Sequence, residues 1–350
     1  MPEKIKVLVV DDSALVRKIV TDILHRDPDI EVVGTANNGK TAIFKNGALN
    51  PDVITLDIEM PIMDGLEALR VIIETNPKPV IMMSVLTQHG AEATFRALEY
   101  GAVDFIPKPS TALSVSVEEI ADLLIRKVKS VYKSKIKLHP GGEAERRGDD
   151  TLKPEGMRRK EPGNRVVAIG TSTGGPSALL QVFQKLPSDF GSPVLVVQHM
   201  PEGFTRAFAE RLNLNSGLSV KEAEDGDRVR PGFGYIAPGH SHMRIEQGPG
   251  ERFLRVFQGD KVSGHRPSID VLFDSVAETC GRDSVGVIMT GMGRDGADGI
   301  ARIKDRGGYT IAQDEDTAVV YGMNRVAVQS GAIDRVVSLY RIAETIMENA

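Results

Sequence analysis

The chain has 350 residues, a net charge of −5 and 41% hydrophobic residues. That length favours two domains over a single core, and no basic concentration marks nucleic acid as the main partner. Cys280 is the single cysteine, which excludes an internal disulfide or a cysteine-built zinc site and fits a reducing compartment.

From Met1 the chain passes into the apolar run Val7–Val10 without the pattern of a secretory signal. No apolar stretch approaches the roughly 20 residues needed to span a bilayer, so a cytoplasmic location without direct membrane insertion is expected. From Ile5 to Tyr132 strand and helix patterns alternate. The predicted strands are Lys6–Val10, Glu31–Ala36, Val53–Leu56, Val80–Met83 and Asp104–Ile106. Between them lie apolar residues at helical spacing, such as Leu15, Ile19 and Ile23, then Ile120, Leu123 and Val128. Repeated β-α units of this length force a parallel sheet with helices on both faces.

Between Ser134 and Gly163 periodicity is lost and Pro, Gly and charges of both signs accumulate, as in Glu143–Asp150. Such a segment cannot bury enough apolar surface to offset its ordering entropy. The expected organisation is therefore a first domain over 1–132, a flexible linker over 133–163 and a second α/β domain over 164–350. In the second domain Val166–Ile169, Val194–Val197 and Val285–Met289 read as buried parallel strands. A hairpin-like stretch lies within Val229–Val256, a helix over Ala178–Gln184, and a last helix over Leu339–Met347.

In the first domain Asp11 and Asp12 follow the first strand, Asp57 the third, Ser84 the fourth and Lys108 the fifth. All five belong to the carboxyl edge of the sheet. Carboxylates that close repel one another unless a cation neutralises them, and a hard ion with oxygen ligands, Mg²⁺, suits them. Ser13 and Asp64 fit helix caps instead. The stretches Val9–Ser13, Leu56–Gly65 and Ile106–Pro109 resemble the receiver domain of two-component response regulators, which has a flavodoxin-like doubly wound fold. The resemblance implies phosphorylation of Asp57 by a histidine kinase. It also implies Mg²⁺ held by Asp12, Asp57 and the Glu59 carbonyl with help from Asp11, and a phosphoryl switch through Ser84 and Lys108.

In the second domain three residues with acyl-transfer chemistry follow three buried strands: Ser172, His199 and Asp295. Ligands of open α/β sheets bind at the carboxyl ends of strands, so a nucleophile, a general base and an orienting acid can converge there. Gly170–Gly174 matches the short G-x-S-x-G elbow pattern and does not match the dinucleotide fingerprint. Each residue alone also fits a turn or a structural role. Of the other histidines, His25 and His89 lie in the first domain and His139 in the linker. His240, His242 and His265 occupy polar, turn-rich segments, where surface or substrate-facing roles are expected.

The stretches Ala168–Pro176, Gln198–Pro201 and Thr290–Gly296 resemble the chemotaxis methylesterase family, as do Lys221–Gly226, Ile236–Gly239 and His265–Phe273. The order receiver, linker, esterase matches as well. The resemblance implies a doubly wound serine-hydrolase domain that removes γ-methyl esters from glutamates of chemoreceptor cytoplasmic helices, releasing methanol, and that deamidates particular receptor glutamines. It implies an oxyanion hole at Thr173 and Met292, no cofactor for the ester reaction, and restraint of the esterase by its unphosphorylated receiver. Thr171 and Arg294 depart from the Ala and Asn frequent there. A DNA-binding output domain, the rival from another class, would need a basic or helix-turn-helix segment after the linker, and none is visible. A general esterase or peptidase under phosphorylation control remains an alternative within hydrolases.

Overall fold

The computed structural model describes residues 3–85, 87–109, 117–133 and 165–350. The expected linker lies outside the described residues apart from Lys133. The chain divides into two compact units, Met1–Lys153 and Pro154–Ala350, each built on its own sheet.

The first unit runs β1 (Ile5–Val10), α1 (Ala14–Leu24), β2 (Ile30–Ala36), α2 (Gly39–Leu49), β3 (Val53–Asp57), α3 (Gly65–Thr75), β4 (Val80–Ser84), α4 (Gln88–Glu99), β5 (Asp104–Pro107) and α5 (Val117–Lys133). Its five strands pair in parallel in the order β2-β1-β3-β4-β5. This is the flavodoxin-like order, with its switch point between β1 and β3. Strands β3 and β4 are buried along their whole length, which explains their predominantly apolar sequences. Ser13 caps α1 through its hydroxyl and Asp64 caps α3 through its carboxylate. Of the apolar residues at helical spacing in α1, Leu15 is 66% exposed, and the helix packs through Val20, Ile23 and Leu24. In α5 the buried position is Leu124 rather than Leu123.

The second unit runs β6 (Val166–Thr171), α6 (Gly175–Lys185), β7 (Val194–Gln198), α7 (Phe204–Leu214), β8 (Ser219–Glu222), β9 (Phe233–Ile236), β10 (His242–Gln247), β11 (Arg252–Phe257), α8 (Ile269–Cys280), β12 (Ser284–Ile288), α9 (Ala297–Asp305), β13 (Tyr309–Gln313), α10 (Met323–Gln329), β14 (Arg335–Val337) and α11 (Leu339–Asn349). Seven strands pair in parallel in the order β14-β13-β12-β6-β7-β9-β8. The chain starts in the middle at β6, fills one side, then returns to fill the other. The crevice therefore opens at the carboxyl ends of β6 and β12. Within the hairpin-like stretch, β10 and β11 pair antiparallel while β9 joins the parallel sheet. Helix α6 begins a turn earlier than its apolar spacing indicates, because Pro176 occupies the first turn without needing a donor. Cys280 ends α8, and burial pushes its thiol up to about 11.

Among the described residues no helix is long and apolar enough to cross a membrane. In the first unit Lys127 of α5 forms a buried ion pair with Asp104 of β5. Removing one partner strands a charge away from water, whereas removing both does not. Lys127→Met is expected to destabilise the first unit by about 3–5 kcal/mol. The double variant with Asp104→Asn should lose distinctly less, as read from urea unfolding of the four-member cycle.

Candidate active site

Ser172 follows β6 on a turn that is bonded to both neighbouring strands. Its N–H donates to the Thr290 carbonyl beyond β12 at 3.0 Å, and its carbonyl accepts from Gln198 Nε2 at the end of β7 at 2.9 Å. The same Gln198 amide donates to the His199 carbonyl at 3.0 Å, while its oxygen accepts from the Thr171 hydroxyl at 2.6 Å. Thr290 Oγ1 in turn donates to the Thr173 carbonyl at 2.8 Å. A Cβ on Gly291 would lie 2.7 Å from that of Ser172, so the loop leading to Met292 presses closely on the serine. Helix α6 starts directly after the turn with no side-chain cap, which leaves the positive end of its dipole beside Ser172.

His199 follows β7 and reaches Asp295, beyond β12, through Nε2 at 2.8 Å. The other ring nitrogen, Nδ1, is buried and has no hydrogen-bond partner. A carboxylate accepts only, so Nε2 carries the proton and Nδ1 is the basic nitrogen. Asp295 is 1% exposed. Its Oδ1 accepts from Ser268 Oγ at 2.7 Å and the Asp270 N–H at 3.2 Å, and its Oδ2 also accepts from the Ile269 N–H at 2.7 Å. Burial would raise the pKa of this group. The hydrogen bond and charge of His199, with the Ile269 and Ser268 donors, outweigh burial and hold it well below the usual carboxylate range. His199, His265 and Asp295 also have ligand atoms within 4.8 Å of one another. Both carboxylate oxygens are already saturated by donors, so the group fits acid–base work better than a metal cage.

Three contributors lie in the stretch His265–Phe273, whose resemblance to the family is the signal in the sequence that could have found them. Ser268 and Asp270 border Asp295 only through the fold, and His265 stacks on His199. The expected surface placement of His242 is corrected: it is 1% exposed, with Nε2 on the Asp260 carbonyl and Nδ1 accepting from the Ser268 N–H. Arg294 is exposed and pairs with Asp298.

In the first unit Asp11, Asp12 and Asp57 offer carboxylate oxygens within 4.8 Å of one another. Lys108 Nζ lies 2.7 Å from Asp57 Oδ2 and 3.1 Å from Asp11 Oδ2. Beyond that lysine the two buried Oδ2 atoms have no donor, so the residues fit a hard divalent cation. Burial pushes Asp57 up to about 6 despite Lys108. Glu59 donates its N–H to Asp57 Oδ1 at 3.3 Å. Ser84 is buried, accepts from Thr94 Oγ1 at 2.7 Å and donates to the Gly90 carbonyl at 3.2 Å, and with Lys108 it lines the cleft at Asp57.

Comparison with known proteins finds a family for each unit. The CheB methylesterase family model matches residues 167–346, and the response regulator receiver domain model matches 7–117. A protein-glutamate methylesterase/protein-glutamine glutaminase of Pyrococcus horikoshii is 48% identical, over 99% of this chain and 94% of its own. One of the same name from Halalkalibacterium halodurans is 47% identical, with 99% of each chain covered. The crystal structure of the Thermotoga maritima CheB methylesterase catalytic domain aligns with a TM-score of 0.53 at 43% identity, covering 53% of this chain and 99% of that one.

Asp270 is the second buried carboxylate beside Asp295. It accepts from the Gly299 N–H at 2.7 Å, yet burial and the charge of Asp295 push it up to about 6 from an ordinary 3.8. Between those values the unfolded chain loses a proton that the folded chain keeps, so this group's contribution to stability falls as pH rises and levels off above about 6. Asp270→Asn has no such proton. Its stability relative to wild type is expected to improve as pH rises from about 4 to about 7, measured by urea midpoints across that range. A pH-independent difference would show Asp270 ionising like an exposed carboxylate.

Proposed function

This chain belongs to the CheB methylesterase family and carries a receiver domain, and from that premise we propose that it is a phosphorylation-controlled protein-glutamate methylesterase that also deamidates glutamine. The observation that carries this is the union of Ser172, His199 and Asp295 beyond the carboxyl ends of the neighbouring strands β6, β7 and β12 respectively, with His199 bonded to Asp295 and its Nδ1 left over.

Ser172 Oγ attacks the γ-carbonyl of a glutamate methyl ester while His199 Nδ1 takes its proton. The imidazolium so formed is stabilised by Asp295 through Nε2. It then protonates the departing methoxide, which leaves as methanol, and a water molecule activated by the same Nδ1 releases the glutamate. The Thr173 and Met292 N–H groups, with the uncapped start of α6, are assigned to the oxyanion. A primary amide is close to a methyl ester in shape and passes through the same tetrahedral intermediate, which accounts for deamidation in the same site. The substrate is carried on cytoplasmic helices of chemoreceptors, which puts the reaction in the cytoplasm.

In the receiver, over 1–132, Asp57 is the carboxylate that accepts a phosphoryl group from a histidine kinase. Asp11, Asp12, Asp57 and the Glu59 carbonyl would hold Mg²⁺, which neutralises phosphoryl charge when bound. Lys108 contributes a fixed positive charge at the same edge, and Ser84 relays the new charge toward α4 through its contact with Gly90. Through the linker over 133–163 the receiver restrains the catalytic domain over 164–350, and phosphorylation relieves that restraint.

Methanol release from methylated receptor membranes tests the assignment. Ser172→Ala is expected to lose on the order of 10⁴-fold or more in kcat while remaining folded. Asp57→Ala should keep basal release and lose its stimulation by a small phosphodonor with Mg²⁺. Deletion through Gly163 should raise basal release. Retained turnover in Ser172→Ala would remove the serine mechanism.

A further inference from the structure

His199 makes one contact that the triad does not require. Its imidazole lies face to face on that of His265, with ring centroids 3.8 Å apart and planes within 4° of each other. His265 is held there by a tight reversal of the chain. Val262 and His265 exchange backbone hydrogen bonds of 3.1 and 2.9 Å. Between them Ser263 and Gly264 both have positive φ, 52° and 79°, the pattern of a two-residue hairpin turn, which glycine adopts without strain. His265 Nδ1 donates to the Ser263 carbonyl at 2.8 Å, which sets the plane of its ring. The Ser263 hydroxyl reaches Asp270 Oδ2 at 3.4 Å. The same short segment then supplies Ser268 and Ile269 to Asp295.

The need for such a contact follows from which nitrogen of His199 meets the carboxylate. Rotation about the bond joining an imidazole to its Cβ is soft, without sharp wells. Nε2 lies near that rotation axis and its N–H points largely along it, whereas Nδ1 points nearly at right angles. A hydrogen bond from Nε2 therefore anchors the ring at a point and leaves its plane free to swing. The nitrogen that swings furthest is Nδ1, the one that must meet the serine proton. A flat surface against the ring face removes this freedom.

We infer that His265 is a positioning residue for the ester reaction. Its ring fixes the plane of His199 so that Nε2 stays on Asp295 and Nδ1 stays aimed for proton transfer. His265 itself touches neither the substrate nor the transferred proton. The inference deepens the methylesterase assignment and rests on it for its kinetic consequence only. The orientation of His199 can be read without turnover.

The test uses the full chain with three substitutions. His265→Ala opens space, His265→Leu fills it without a flat face, and His265→Phe restores the flat face without an imidazole. In methanol release, Ala and Leu are expected to lower kcat roughly 10- to 100-fold with KM changed by less than about twofold, the sign of lost orientation rather than lost binding. Phe should recover most of the loss. Nitrogen NMR of the His199 ring should show a single Nε2–H tautomer in wild type and in His265→Phe, and exchange-broadened signals in the other two. If His265→Ala fails to fold, the comparison of Leu with Phe decides. The inference is overturned if Phe is as impaired as Leu, if the loss falls in KM, or if kcat and the His199 signals are unchanged in all three. Absence of methanol release from wild type, with the NMR pattern as expected, would sustain the positioning role and remove the methylesterase assignment instead.

Discussion

The catalytic unit is organised around one buried charge at one helix end. Asp295 stands just before α9 but accepts from the first N–H groups of α8, and Asp270, the second residue of α8, accepts from Gly299 in the first turn of α9. Each helix thus supplies the carboxylate that the other lacks, since neither has a side-chain cap of its own. This exchange locks α8 to α9, fixes the loop that ends β12, and leaves Asp295 one direction in which to receive a further donor. His199 fills it. Ser172 is tied into the same frame through Thr290 and Gln198, so Ser172, His199 and Asp295 share a single scaffold.

Both units place buried carboxylates at the switch point of a parallel sheet, and the two solve the problem of burying them differently. In the second unit, backbone and hydroxyl donors hold Asp295 as an anion, which suits a group that must stay charged while it orients an imidazole. In the first, Asp57 meets a lysine and a neighbouring carboxylate rather than a ring of N–H donors, and burial raises its pKa. A carboxylate with few hydrogen-bond donors keeps lone pairs available for bond formation, which suits a nucleophile. The same architecture thus holds a richly donated carboxylate in one unit and a sparsely donated one in the other.

What the sequence reveals and what it hides follow a physical division. Strands β1, β3, β4, β6, β7 and β12 are legible because both of their faces are buried and their sequences are predominantly apolar. Residues at or just past their carboxyl ends inherit a known position at the sheet edge, which is why Asp11, Asp57, Ser172 and His199 are legible, and the glycine-rich loop after β12 marks Asp295. His265, Ser268 and Asp270 stand in a stretch that resembles the family, but their contacts with the site are not legible, since these depend on a turn and a helix start that meet it only in three dimensions. His242 sits among polar neighbours in the chain, yet it is enclosed by the packing of Ser268 and Asp260. Leu15 misleads for the opposite reason: an apolar residue at helical spacing need not lie on the buried arc when α1 already meets the sheet through Val20, Ile23 and Leu24.

The burial of Cys280 has a practical side. As the single cysteine of the chain, enclosed at the end of α8 with its thiol raised to about 11, it is nearly all in the unreactive thiol form at neutral pH. A cysteine introduced on an exposed surface would be the preferred target for a maleimide or a spin label in otherwise wild-type protein. Two such positions, one in each unit, would act as a molecular ruler for following the separation of the units as the receiver is loaded, with no background substitution to alter the enzyme being watched.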